Sequence, residues 1–119
     1  MSLPFTDNSP LLNSVTATTT SVGFDVSKRQ QVTLQFVASG ITSGNGVFSV
    51  DASNDGTNWI TGIAFQDATA TASNTWVTSK TLSSNTTAGA YVEPGWRYIR
   101  AKCTVTTDGT YSAIIEAAG

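Results

Sequence analysis

The chain has no histidine and a single cysteine, Cys103, in 119 residues. Without histidine, neither a Ser-His nor a Cys-His nucleophile pair can be assembled within one chain, and no plausible zinc set remains. One cysteine excludes an internal disulfide, so stability must come from packing or from partner subunits. Charge is scarce too: Asp, Glu, Lys and Arg make up 12% of the chain, half the usual share. The net charge is −2 and the six basic residues are scattered. Nucleic-acid binding needs a concentrated basic face, which only Arg97, Arg100 and Lys102 approach. No apolar run is long enough to span a bilayer. Met1 to Asp7 has no basic stretch followed by an apolar one, so no signal peptide is read and synthesis in a cytoplasm is expected. The expectation is a protein that is not an enzyme, needs no cofactor or metal, and binds neither nucleic acid nor membrane.

Ser, Thr, Asn and Gly take the place of the missing charge, as in proteins built from short strands and turns. The length suits one domain with a single core. No helical periodicity is evident. The most informative stretch runs from Gly46 to Trp59. Phe48, Val50 and Ala52 alternate with Ser49, Asp51 and Ser53, the pattern of a strand with one buried face. Asp55-Gly56 then supplies a turn, and Trp59 restarts an apolar run through Ile60, Ile63 and Phe65, so a hairpin is expected.

Other strands follow from the same alternation. Val15–Thr20 has strand propensity, and Val22, Phe24 and Val26 share a face. Gln31–Ala38 places Val32, Leu34 and Phe36 inward. Residues 66–74 and 83–89 read as loops, Thr75–Leu82 as one strand, Ala90–Val92 as a short piece, and Glu93-Pro94-Gly95 as a turn. Trp96–Thr106 is the longest strand, and Asp108-Gly109 leads into the last, Thr110–Ala117. These two are expected to form a hairpin, in which a two-residue loop would set Glu116 on the apolar face. A five-residue loop pairs Cys103 with Ala113 and keeps the buried face consistent, so the longer loop or a bulge is expected. About eight strands with regular turn signals indicate an all-β fold, an antiparallel β-sandwich of jelly-roll or immunoglobulin-like topology, over residues 14–119.

Residues 1–13 read as an extended N-terminal arm, because Pro4 and Pro10 favour extended backbone and Asp7-Asn8-Ser9 favours a turn. Leu3, Phe5, Leu11 and Leu12 are too apolar for an idle tail. They either fold back on their own domain or anchor the arm on a neighbouring subunit.

Few residues suggest chemistry. Asp51-Ala52-Ser53-Asn54-Asp55-Gly56 mimics the opening of a calcium-binding loop, but Gly62 stands where a bidentate Glu is required, and the same residues suit a hairpin turn. No pair of carboxylates is singled out for acid–base work. Trp59, Trp76 and Trp96 could together form a sugar platform, although in a small sandwich such residues more often fill the core. Cys103 reads as a small buried residue.

The run Ser53-Asn54-Asp55-Gly56-Thr57-Asn58-Trp59, preceded by Val47-Phe48-Ser49-Val50, resembles small β-sandwich structural proteins of tailed bacteriophages. Trp96–Ala101 followed by Thr106–Tyr111 also looks like the closing hairpin of such proteins. The resemblance covers residues 30–117. It implies a structural virion protein, foremost a capsid decoration (cement) protein that bridges subunits of the major capsid protein, and a homo-oligomer, with a trimer favoured. Leu3, Phe5, Leu11 and Leu12 would then be interface anchors. A neck, tail or fibre subunit is the alternative within the virion. A similar Asp-Gly hairpin occurs in discoidin-type carbohydrate-binding modules, the alternative outside it.

Overall fold

A computed structural model of the chain describes residues 6–68 and 75–119. In chain order the strands are β1 (Thr6–Val15), β2 (Thr19–Thr20), β3 (Phe24–Asp25), β4 (Gln31–Ser39), β5 (Asn45–Ser53) and β6 (Phe65–Asp67). There follow β7 (Thr75–Val77), β8 (Lys80–Leu82), β9 (Thr86–Val92), β10 (Tyr98–Thr106) and β11 (Thr110–Ala118). Two antiparallel sheets pack as a sandwich. One has the order β1-β11-β4-β9-β6-β7, the other β2-β10-β5-β8, with β3 also paired to β10. Among the described residues there is no helix, hence none long and apolar enough to cross a membrane.

The inward faces are those the alternation predicts. Val32, Leu34, Phe36 and Ala38 of β4 meet Phe48, Val50 and Ala52 of β5 and Ile99, Ala101 and Cys103 of β10, all buried. An aromatic cluster joins the sheets. Phe36 stacks on Phe48 of the opposite sheet with ring centroids 4.5 Å apart. Phe65 meets Phe36 edge-on at 6.0 Å, and Tyr111 meets Phe48 edge-on at 6.1 Å. Edge-to-face and offset contacts of this kind add to the burial of the rings themselves.

The connections differ from the expected hairpins. β10 pairs with β5, and β11 pairs with β4 and β1, so the last two strands lie in opposite sheets and form no hairpin of any loop length. Cys103 and Tyr111 both face the core, but across it rather than side by side. The corner is fixed by Asp108, whose carboxylate accepts the backbone N–H groups of Thr42 and Gly44 at 3.2 and 2.9 Å. The hydroxyl of Tyr111 donates to the Asp108 carbonyl at 2.8 Å. After the central turn the chain likewise forms no second strand on β5. A bridge from Ile60 to Ala52 and a hydrogen bond from the Ile63 N–H to the Val50 carbonyl at 2.9 Å precede its departure for the other sheet at β6. The segment 75–82 is two strands, because β7 belongs to one sheet and β8 to the other. Residues 86–89, expected as loop, belong to β9, a central strand between β4 and β6. Val22 is 82% exposed, so Val22, Phe24 and Val26 share no buried face. Among the described residues there are thus eleven strands where about eight were expected, chiefly because 75–82 divides in two and the N-terminal arm itself holds a strand.

From Thr6 the N-terminal segment is β1, an edge strand on β11, and Leu12 is 2% exposed within the core. Of the two alternatives for the arm, the described part takes the first, folded on its own domain. Leu12 is a core residue and not a free anchor.

Gly46 of β5 lies beneath the Tyr111 ring: a Cβ there would stand 2.5 Å from a ring carbon and 3.0 Å from the Cys103 sulfur. Gly46→Ala is therefore expected to overpack the core and cost about 1–3 kcal/mol, read as a lowered urea midpoint at unchanged slope.

Candidate functional site

The turn after β5 is built by its own side chains. Ser53, buried, accepts the N–H groups of Asp55 and Gly56 on its hydroxyl oxygen at 3.2 and 3.0 Å. The Asp55 carboxylate accepts the N–H groups of Thr57 and Asn58, both at 2.8 Å, and the Asn58 side-chain amide at 2.9 Å. Gly56 takes a φ of 76°, which glycine adopts without strain. Hydrogen bonds from the Asn58 side chain, then from the Asn58 and Thr57 N–H groups, hold the Asp55 carboxyl below the usual carboxylate range. Asp51, the other carboxylate of the calcium-like motif, is buried and accepts from Arg100 Nε at 2.8 Å and from the Gly62 N–H at 3.0 Å. Both carboxylates are thus engaged by their own chain. Among the described residues no group of three or more His, Cys, Asp or Glu side chains could hold a metal ion.

The tryptophans do not converge on one sheet. The Arg100 guanidinium lies 4.3 Å over the Trp59 ring, which also presses on Gly23, so Trp59 covers the outside of the five-stranded sheet. Trp76 is 49% exposed on β7, the far edge of the other sheet. Trp96 is half-buried, packed against the core at one end of the sandwich.

That end holds the cleft. Asn54 projects from the turn and its side-chain oxygen accepts the Arg97 N–H at 3.1 Å, tying the turn to the β9–β10 loop. Ser27 and Lys28 approach from the β3–β4 connection, in which Lys28 has a φ of 62°. One part of the cleft, about 340 Å³, is lined by Trp96 with Ser27, Lys28, Asn54 and Arg97. A second, about 280 Å³, is lined by Trp96 with Asn54, Glu93 and Pro94. In the sequence Glu93-Pro94-Gly95 and Asn54 read only as turn residues. Their meeting is a tertiary event with no local signal.

Of the expected interface anchors, Leu11 is half-buried against the core beside the buried Leu12. Leu3 and Phe5 lie outside the described residues. Cys103 is fully buried, which pushes its thiol up to about 11 and leaves it protonated at neutral pH.

No family model matches the chain, and no curated protein does. Solved structures do. The SPBc2 prophage-derived protein YomS superposes with a TM-score of 0.69 at 15% identity, covering 98% of this chain and 96% of that one. The PBSX exported protein XepA superposes with a TM-score of 0.61 at 11% identity, covering 95% of this chain and 37% of XepA. The structural neighbours are therefore phage-derived proteins. At such identities what is shared is the fold: it is the whole of one prophage protein and about a third of the other.

The carboxylates of Asp55, Asp108 and Asp25 all sit below their ordinary value of 3.8. The causes are, first in each case, the Asn58 amide, the Thr42 N–H and the Ser27 hydroxyl. In the unfolded chain these groups take up protons at higher pH than in the folded one, so their stabilisation is present above 3.8 and is lost as pH falls below it. Urea midpoints measured from about pH 6 down to about pH 2 are expected to fall below about pH 4, and Asp55→Asn to flatten that fall.

Proposed function

We propose that the chain is a structural virion protein of a tailed phage, foremost a capsid decoration protein that bridges capsid subunits. The observation that carries this reading is the match to a prophage protein over nearly the full length of both chains. The sequence supports it from another side, since histidine is absent, charge is low, and the acids that could have formed a catalytic pair serve as turn and sheet ties. In this reading the protein acts by non-covalent clamping. Copies, three to a cluster, sit where capsid subunits meet, and each bridge adds association free energy that opposes expansion of the shell. Leu3 and Phe5 remain the proposed anchors beyond β1, because apolar side chains seated in a partner's pocket carry much of an interface's energy.

The deciding measurement is the copy number of this chain per major capsid subunit in purified particles. A ratio near one, or a simple fraction of it, is the expected result for decoration of the shell lattice. About a dozen copies per particle would move the protein to the neck, tail or fibres, and absence from particles would overturn the virion reading. Replacing Leu3 and Phe5 by Ser should weaken particle binding at least about tenfold, with the urea midpoint measured alongside as the control for folding. Removing residues 2–13 is a poor test, because it takes Leu12 out of the core and most of β1 out of the sheet.

A further inference from the structure

The charged side chains are unevenly engaged. All six aspartates are tied into the fold: Asp7 to Arg29, Asp51 to Arg100 and Asp67 to Lys80, with Asp25, Asp55 and Asp108 held by hydroxyl, amide or backbone N–H groups. Five charged side chains remain with no hydrogen-bonded or ion-paired partner among the described residues, namely Lys28, Glu93, Arg97, Lys102 and Glu116. Three of these five, Lys28, Glu93 and Arg97, line the cleft around Trp96. A fold that uses most of its few charges internally has placed three of the remaining five around one aromatic ring. One of the three, Arg97, also has its guanidinium 5.1 Å over the Tyr98 ring.

The two parts of the cleft differ in sign. Lys28 and Arg97 line the larger part, with the Asp25 carboxylate, already engaged by Ser27, offsetting part of the Arg97 charge. Glu93 lines the smaller part with Pro94. Asn54 borders both parts and gives its side-chain oxygen to the Arg97 N–H, so its amide nitrogen keeps two free donors. An apolar ring flanked by a few placed polar groups is the usual make-up of a small-ligand site. Lys28 and Arg97 ask for an anionic group, the Trp96 ring for a flat apolar face, and Glu93 and Asn54 for hydroxyls that donate and accept. Two cations are too few to track a nucleic-acid backbone.

We propose that the cleft lined by Trp96 binds a saccharide bearing an anionic group, a carboxylate or a phosphate. The anion sits between Lys28 and Arg97, a sugar ring lies against Trp96, and hydroxyls meet Asn54 and Glu93. The site is independent of how the protein is held on a particle, so its failure would leave the virion reading untouched.

The test uses the full chain and the separate indole N–H resonances of its three tryptophans. Tri-galacturonate, glucose 6-phosphate, maltotriose and a poly-glutamate peptide are titrated in turn. Trp96 is expected to shift saturably with at least one anionic sugar, while Trp59 and Trp76 stay in place. The two anionic arms tell a carboxylate from a phosphate. Maltotriose should bind at least about tenfold more weakly, and Lys28→Gln and Arg97→Gln should each raise Kd about tenfold, as loss of a charged hydrogen bond requires. Both positions are exposed, so neither change disturbs the core. No shift with any sugar, equal binding of maltotriose, indifference to both substitutions, or a response to the peptide alone would each overturn the proposal.

Discussion

The stacking of Phe36 on Phe48 is the contact on which the rest of the structure depends. With no disulfide and, among the described residues, no helix, the two sheets are held by side chains meeting across the core. These two rings stand at the centre of β4 and β5, and Phe65 and Tyr111 lean on them from the six-stranded sheet. A fully buried phenylalanine of this kind contributes about 3–5 kcal/mol by truncation, a large part of a small domain's margin. The glycine at position 46 follows from the same contact, because the Tyr111 ring occupies the space its side chain would need.

The chain reaches this packing by changing sheets at nearly every connection. Taking the strands in order, only β6 and β7 are consecutive and paired with each other among the described residues. This explains which parts of the fold were legible in the sequence. Alternation reports which side chains point inward, and for β4, β10 and β11 it did so residue by residue. In β5 it placed Phe48, Val50 and Ala52 inward, but Asp51 and Ser53, read as the polar alternates, are buried as well. It is silent on the partner strand. A hairpin and a corner between two sheets both place Cys103 and Tyr111 toward the same core, so burial could not separate them. What separates them is Asp108, whose carboxylate leaves the Asp-Gly turn to receive the N–H groups of the β4–β5 connection. The same blindness hid the cleft. Asn54, Lys28, Glu93 and Trp96 come from three connections, and only the closed sandwich brings them to one end.

Low charge gains a physical meaning in this light. Buried Asp51 and Asp67 each meet a basic partner at 2.8 and 2.9 Å, and the second pair links β6 to β8, strands of opposite sheets. Such pairs add little net stability, since desolvation offsets attraction, but losing one partner leaves a buried charge exposed to the full penalty. They therefore fix which strands may lie together more than they strengthen the whole. A surface left with few charges of its own has less water to shed when another protein approaches.

The edges of the two sheets are built against continuation by another strand. An unpaired edge strand is a template for addition of a partner strand, and here most edges are too short to serve: β2 and β3 have two residues each, β7 and β8 three. β1 is the long one, at ten residues, but Pro10 interrupts it and its register on β11 shifts between Pro10 and Leu12 and again between Leu12 and Val15. Ser14, with a φ of 55°, bends the strand further from a regular ladder. Proline and bulges are the devices by which sheet proteins blunt an edge against pairing. The described edges therefore offer little template for a sheet continued from one molecule to the next.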